Sequence, residues 1–341
     1  MFQDVAKIEL SLAERRIKPL VNVFNRGLAT RTRVTLQTTI KSPVSFKGVG
    51  LHSGHPACAT ILPAAGGHGI VFRRSDLPND HSIIPALWNH VHQSPLCTLL
   101  ENRHGATVST VEHIMAALVG CGVHNAIIEI DGPEVPILDG SSAAFVRGIL
   151  SSGVRHLGVP VRALRVLETI EVRRGQAWAR LAPHDSLMIE FDIEFEDAAI
   201  GSQRKTLNMA NGSFVRELST SRTFCRKADV DMMRSNGLAL GGTLENAVVV
   251  DGAQVLSPGG LRHEDEAVRH KMLDAVGDLG LAGLPILGHY HGFRAGHALT
   301  NDLLCELFSN PESFETILCD EVTAARLPGV GVHWGEIPEV A

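Results

Sequence analysis

The 341-residue chain lacks a paired-cysteine motif, an apolar run long enough to cross a bilayer and any excess of positive charge. Its six cysteines, Cys58, Cys97, Cys121, Cys225, Cys305 and Cys319, are widely spread and form no CxxC pair. That argues against a cysteine zinc site and a dense disulfide framework, and it suits a reducing cytoplasm. No apolar stretch approaches the roughly 20 residues of a transmembrane helix, and no compact secretory core opens the chain. A soluble cytoplasmic protein without a transmembrane segment is expected. A net charge of −6 leaves no basic footprint for a phosphate backbone, so nucleic acid is not expected as a partner. No residue-level repeat is visible. What is present is an ordinary globular composition, 44% hydrophobic and 20% charged, in a chain long enough for two domains.

Residues 1 to 34 mix basic and acidic side chains (Lys7, Arg15, Arg16, Lys18, Arg26, Arg31 and Arg33 against Asp4, Glu9 and Glu14) without a sustained apolar face. They are expected to form a poorly ordered leader. From residue 35 to about 160, short β-like runs punctuated by glycine and proline surround helices over 107–119 and 141–150, with a strand over 125–130. A Gly/Pro-containing joint at 158–164 marks the expected domain boundary. Beyond it come strands over 165–173, 178–183 and 187–195, then a helix near 213–217. An irregular stretch over 223–242, a strand over 247–250, a helix over 266–281 and a strand over 286–288 follow. Element order therefore predicts two α+β domains, 35–160 and 161–335, each a two-layer sandwich of a β-sheet and helices.

The most informative stretch is the 266–281 helix. At about 3.6 residues per turn, His270 and Asp274 share one face, and Asp278 continues the stripe. One imidazole and one carboxylate supply two of the three protein ligands of an open catalytic zinc site. A candidate third ligand is His113, with Glu112 beside it near a helix start where Ser109 or Thr110 could cap the first turn. Adjacent helical residues point about 100° apart, so His113 could bind a metal while Glu112 reaches a water over the same cavity. His297, in the small-residue loop 295–299, could donate a proton to a leaving group, its ring held by a carboxylate such as Asp278. His289 and His291 lie nearby in sequence. On spacing alone, a solvated Glu-His pair and an idle loop histidine remain open alternatives. The glycine-rich stretches 48–54 and 237–242 lack the P-loop pattern and read as turns.

Eight ordered segments together resemble one family, the UDP-3-O-acyl-N-acetylglucosamine deacetylases, zinc amidohydrolases of lipid A biosynthesis. They are GVGLHSG (48–54), CTLL (97–100), STVEHIMAAL (109–118), PEVPILDGSSAAF (133–145), SRTF (221–224), GLALGG (237–242), RHEDEAVRHKMLDAVGDL (262–279) and GHAL (296–299). The resemblance implies two α+β domains with the active site between them. It implies His113, His270 and Asp274 as ligands of Zn2+, Glu112 as general base, and His297 as a second catalytic group partnered by Asp278. It further implies a hydroxyl from Thr223 beside the metal, Lys271 contacting substrate and Phe224 packing near it, with Cys97 facing the metal region without being a required ligand. Two histidines and one carboxylate also suit Fe2+. The implied partner is a small-molecule UDP-linked acylated sugar; with no interface legible, a monomer is expected. Rival readings are a zinc amidohydrolase of the same architecture acting on another acetamido sugar, and a catalytically decayed sugar-nucleotide-binding protein. Intact ligands and Glu112 oppose the latter.

Overall fold

Period-two burial organises both sheets. Along Pro56–Pro63 the side chains of Ala57, Ala59 and Ile61 are buried, and along Ala126–Ile130 those of Ala126, Ile128 and Ile130, while their neighbours are partly exposed. Each strand therefore presents one face to a core. The structure is a computed structural model that describes residues 34–94 and 96–338. The leader expected over residues 1 to 34 lies outside them, apart from Val34.

A first, five-stranded sheet runs in the order Val44–Val49, Pro56–Pro63, Ala126–Ile130, Ile70–Arg74, Ile83–Pro85. Two helices accompany it, α1 (Glu112–Gly120) and α2 (Ala143–Ser152), which pack on each other. A second, seven-stranded sheet has the path Ile170–Arg174, Ala177–Ala182, Ile286–Phe293, Arg162–Val166, Phe314–Leu318, with Leu187–Glu194 and Ser202–Asn208 joined to it. After a short helix α3 (Lys227–Ser235), this sheet carries α4 (Glu266–Leu279) and α5 (His297–Ser309). Among the described residues, none of the sheets mixes strands from 36–160 with strands from 162–318. The most extensive contact between the two groups of elements is helical: α1 packs directly on α4. Both helices are buried nearly all round, as expected of helices with packed neighbours on every side. The described residues form one compact unit.

Several elements differ from their sequence-based limits. Thr107–Ser109 is a strand paired with Leu99–Glu101, not the first turn of a helix. Thr110, at φ +58°, breaks the chain between that strand and α1, and neither Ser109 nor Thr110 caps the helix, whose N-terminal flank is Val111. The strand expected over 165–173 is two strands separated at 167–169, where the amides of Leu167 and Glu168 donate instead to the Ser313 carbonyl. The stretch 223–242 is not wholly irregular, since it holds the strand Phe224–Arg226 and α3. Phe214–Leu218 is a single wide turn of π type. The strand from Ile286 runs on to Phe293, so His289 and His291 are strand residues, and His297 opens α5 instead of sitting in a loop.

Candidate active site

Gly277 sets the geometry on which the site depends. A Cβ there would stand 2.1 Å from the backbone carbonyl oxygen of Glu112, so only glycine lets α4 approach the first turn of α1 this closely. The crossing brings His113 on α1 to His270 and Asp274 on α4. Nε2 of His113 and of His270 lie 3.6 and 3.2 Å from Oδ1 of Asp274, and the rings meet edge to face with centroids 5.0 Å apart. All three side chains are buried, with donor atoms within 4.8 Å of one another.

This set fits a divalent metal ion. Oδ1 of Asp274 is buried without a hydrogen-bond partner, a costly state that a cation between the two imidazoles would relieve. Burial pushes the His270 imidazole down to about 4, so the ring is neutral. Its Nδ1 lies 3.0 Å from the Ser221 carbonyl, which calls for Nδ1–H as donor and leaves the Nε2 lone pair facing Asp274. Burial works against the Asp274 charge, yet the Lys271 ammonium helps hold this carboxyl well below its ordinary value; Lys271 Nζ donates to Oδ2 at 2.9 Å. Lys271 keeps 21% of its side-chain surface open.

Beside this set lie Glu112 and His297. Burial raises the Glu112 carboxyl above its ordinary value, against the opposing charges of His297 and His113. Oε1 of Glu112 faces Nε2 of His297 at 3.9 Å. Nδ1 of His297 is 2.8 Å from Oδ2 of Asp278. Burial disfavours the imidazolium, but Asp278, Glu112 and Asp274 outweigh it and raise His297 to about 9. A carboxyl and an imidazole, both raised above their ordinary values, are held side by side, a pairing that suits a base and an acid.

The segment 221–224 is anchored along α4 by a buried ion pair. Both the amide and Nε of Arg222 donate to Oε1 of Glu266 at 2.9 Å. This holds the Ser221 carbonyl on His270 and sets Phe224 edge-on to the same ring, centroids 6.3 Å apart. Thr223 lies between them, its amide donating to the Gly140 carbonyl. Seven expected residues, Glu112, His113, His270, Lys271, Asp274, Asp278 and His297, are thus directly linked by contacts, while Thr223 and Phe224 border them. Cys97 is buried and pushed up to about 11 by burial and the Glu112 charge, so it is a neutral thiol near Glu112.

Two residues escaped reading from spacing. His52, in the turn 50–54, has both ring nitrogens buried without a partner; burial lowers its pKa, the Glu134 charge opposes that, and the nearby His297 charge adds to it. Thr98 touches both Glu112 and Asp278. Their signal was membership of the GVGLHSG and CTLL segments, which carried no residue-level chemistry. His289 and His291 belong elsewhere: they lie with Glu190 and Asp192 on the second sheet, where Arg204 pairs with both carboxylates.

The sequence is similar to known proteins over most of its length. Residues 37–309 match the family model described as LpxC: UDP-3-O-acyl N-acetylglycosamine deacetylase. The chain is 43% identical over 294 residues to the UDP-3-O-acyl-N-acetylglucosamine deacetylase of Sodalis glossinidius, covering 86% of this chain and 95% of that one. It is 43% identical over 291 residues to the protein of the same name from Idiomarina loihiensis, covering 84% and 94%. With that from Pasteurella multocida it shares 40% over 290 residues, covering 84% and 95%.

Proposed function

The chain belongs to the UDP-3-O-acyl N-acetylglycosamine deacetylase family, and on that premise we propose that it hydrolyses the 2-acetamido group of UDP-3-O-acyl-N-acetylglucosamine. The products are acetate and the free 2-amino sugar, an early step of lipid A biosynthesis. The observation that carries this reading is the buried, partnerless Oδ1 of Asp274 between two imidazoles, next to Glu112 and His297.

His113, His270 and Asp274 would hold the metal, zinc in this reading. When bound, such an ion supplies Lewis acidity that polarises an amide carbonyl and acidifies a water. Glu112 takes the proton of the attacking water; its raised pKa brings its basicity nearer to neutral pH. His297 carries protons on both ring nitrogens at neutral pH because its pKa is raised to about 9, with Nδ1–H donated to Asp278. Its positive charge, with the Thr223 hydroxyl, steadies the developing oxyanion, and its Nε2 proton passes to the departing amine. Lys271 and Phe224 orient the substrate, the first by charge and the second by packing.

In the same reading, residues 35–160 and 161–335 are two α+β domains, and the protein is a cytoplasmic monomer acting on a small molecule. Among the described residues, no helix is long and apolar enough to cross a membrane. The deciding experiment measures acetate released from the UDP-linked acyl sugar, with loss on chelation and recovery with zinc or ferrous iron. Hydrolysis of a simpler acetylated sugar alone would support the rival amidohydrolase; no hydrolysis by metal-loaded protein would sink both.

A further inference from the structure

We propose that Thr98 is a positioning residue that sets the spacing between Glu112 and the Asp278–His297 pair; this rests on the deacetylase reading of the site. Thr98 is 3% exposed and lies 180 positions from Asp278, so nothing local in sequence links them. Its hydroxyl donates to Oδ1 of Asp278 at 2.6 Å, and its amide donates to Oε2 of Glu112 at 3.1 Å. Its carbonyl accepts from the Val111 amide at 3.5 Å, which ties the same residue to the start of α1.

The chemistry of this arrangement is directional. An ionised carboxylate only accepts, so the threonine hydroxyl must donate. Asp278 then has one partner on each oxygen, Thr98 on Oδ1 and His297 Nδ1 on Oδ2, and its carboxylate plane cannot rotate without breaking one bond. The imidazole orientation follows from that plane. On the other side, the Thr98 amide occupies Oε2 of Glu112, leaving Oε1 as the oxygen that faces His297. One residue thereby holds both the base and the partner of the acid. Threonine suits this task because its β-branch restricts χ1 and aims the hydroxyl.

The test compares Thr98→Val, which keeps shape and loses the hydroxyl, with Thr98→Ser, which keeps the hydroxyl. Both are studied in metal-loaded full chain by kcat, KM, bound metal, thermal midpoint and the low-field proton resonance of His297 Nδ1–H, assigned by its loss in His297→Ala. Thr98→Val is expected to keep its metal and a KM within about twofold, lose about tenfold or more in kcat and shift that resonance, whereas Thr98→Ser stays within about threefold in kcat. On an Asp278→Asn background, Thr98→Val should change kcat by less than about twofold, since the residue it acts through is already altered. Equal losses in the Val and Ser variants, a Val variant with unchanged kcat, or an unmoved resonance would overturn the proposal. Should Val not fold, Thr98→Ala is read in the same way. Wild-type protein that is metal-loaded yet releases no acetate would refute the deacetylase reading alone, and the resonance would still decide whether Thr98 orients Asp278 and His297.

Discussion

At the scale of single residues, the proposed reading separates groups that hold a metal from groups that move protons, and substitution distinguishes them. Glu112→Ala and His297→Ala should each lower turnover by on the order of 10²-fold or more while bound metal stays stoichiometric, because neither is in the ligand set. Asp274→Asn should instead lower bound metal, measured by elemental analysis; full occupancy in that variant would remove it from the ligands. A third residue reports on stability. His124 accepts from the Thr38 amide through Nδ1 at 3.3 Å and lies beside the Thr38 hydroxyl. Burial, with help from the His156 charge, lowers it to about 4 from the ordinary 6.5. The unfolded chain thus binds the proton more readily, so this contribution is complete above about pH 6.5 and is lost as the pH falls toward 4. It amounts to about 3 kcal/mol at most. Urea unfolding at pH 7, 5.5 and 4.5 should show a smaller loss for His124→Asn than for wild type; identical slopes would exclude His124 as the source. Of these residues, the ligands and proton-transfer groups were legible because their donor atoms repeat at helical spacing or sit in family-like segments. His124 lies in no such segment, and Thr98, though within CTLL, shows no donor-atom spacing there; burial and partners give both their chemistry.

At the scale of elements, the decisive feature is the crossing of α1 and α4. Gly277→Ala would put a methyl group 2.1 Å from the Glu112 carbonyl oxygen and 3.1 Å from the Ala116 amide nitrogen, both backbone atoms. Overpacking of this kind typically costs about 1–3 kcal/mol. The variant should melt several degrees lower and lose activity beyond its loss of stability, because the helices that carry Glu112, His113, His270 and Asp274 are forced apart. A variant with unchanged melting and turnover would show that the crossing tolerates separation. The face of α4 was readable from its His270–Asp274–Asp278 stripe. The true start of α1 was not: Thr107–Ser109 looks helical by its apolar spacing, but strand pairing with Leu99–Glu101 and the left-handed Thr110 prevailed over local preference. The position of His297 changed similarly, from loop to first residue of α5, without altering its pairing with Asp278.

At the scale of the whole molecule, the candidate metal ligands come from both groups of sheets, His113 from an element among residues 36–160 and His270 with Asp274 from an element beyond residue 161. A bound metal should therefore stabilise the entire folded unit by mass action, about 2.7 kcal/mol at a free concentration one hundred times Kd. Chelation should lower the thermal midpoint, re-addition of zinc should restore it, and the Asp274→Asn protein should show a much smaller shift. A midpoint insensitive to chelator in fully loaded protein would mean that the metal does not couple to folding. By itself, the sequence determined the α+β class and set His270, Asp274 and Asp278 on one helix face, because periodicity is a local property that survives in a one-dimensional string; the roles of His113, Glu112 and His297 rest on the family resemblance. Only the tertiary structure decided that His113 meets His270 and Asp274, that Thr98 bridges Glu112 to Asp278, and that Gly277 permits the approach. These depend on distances between chain segments well over a hundred residues apart, and the packing of two buried helices settles them.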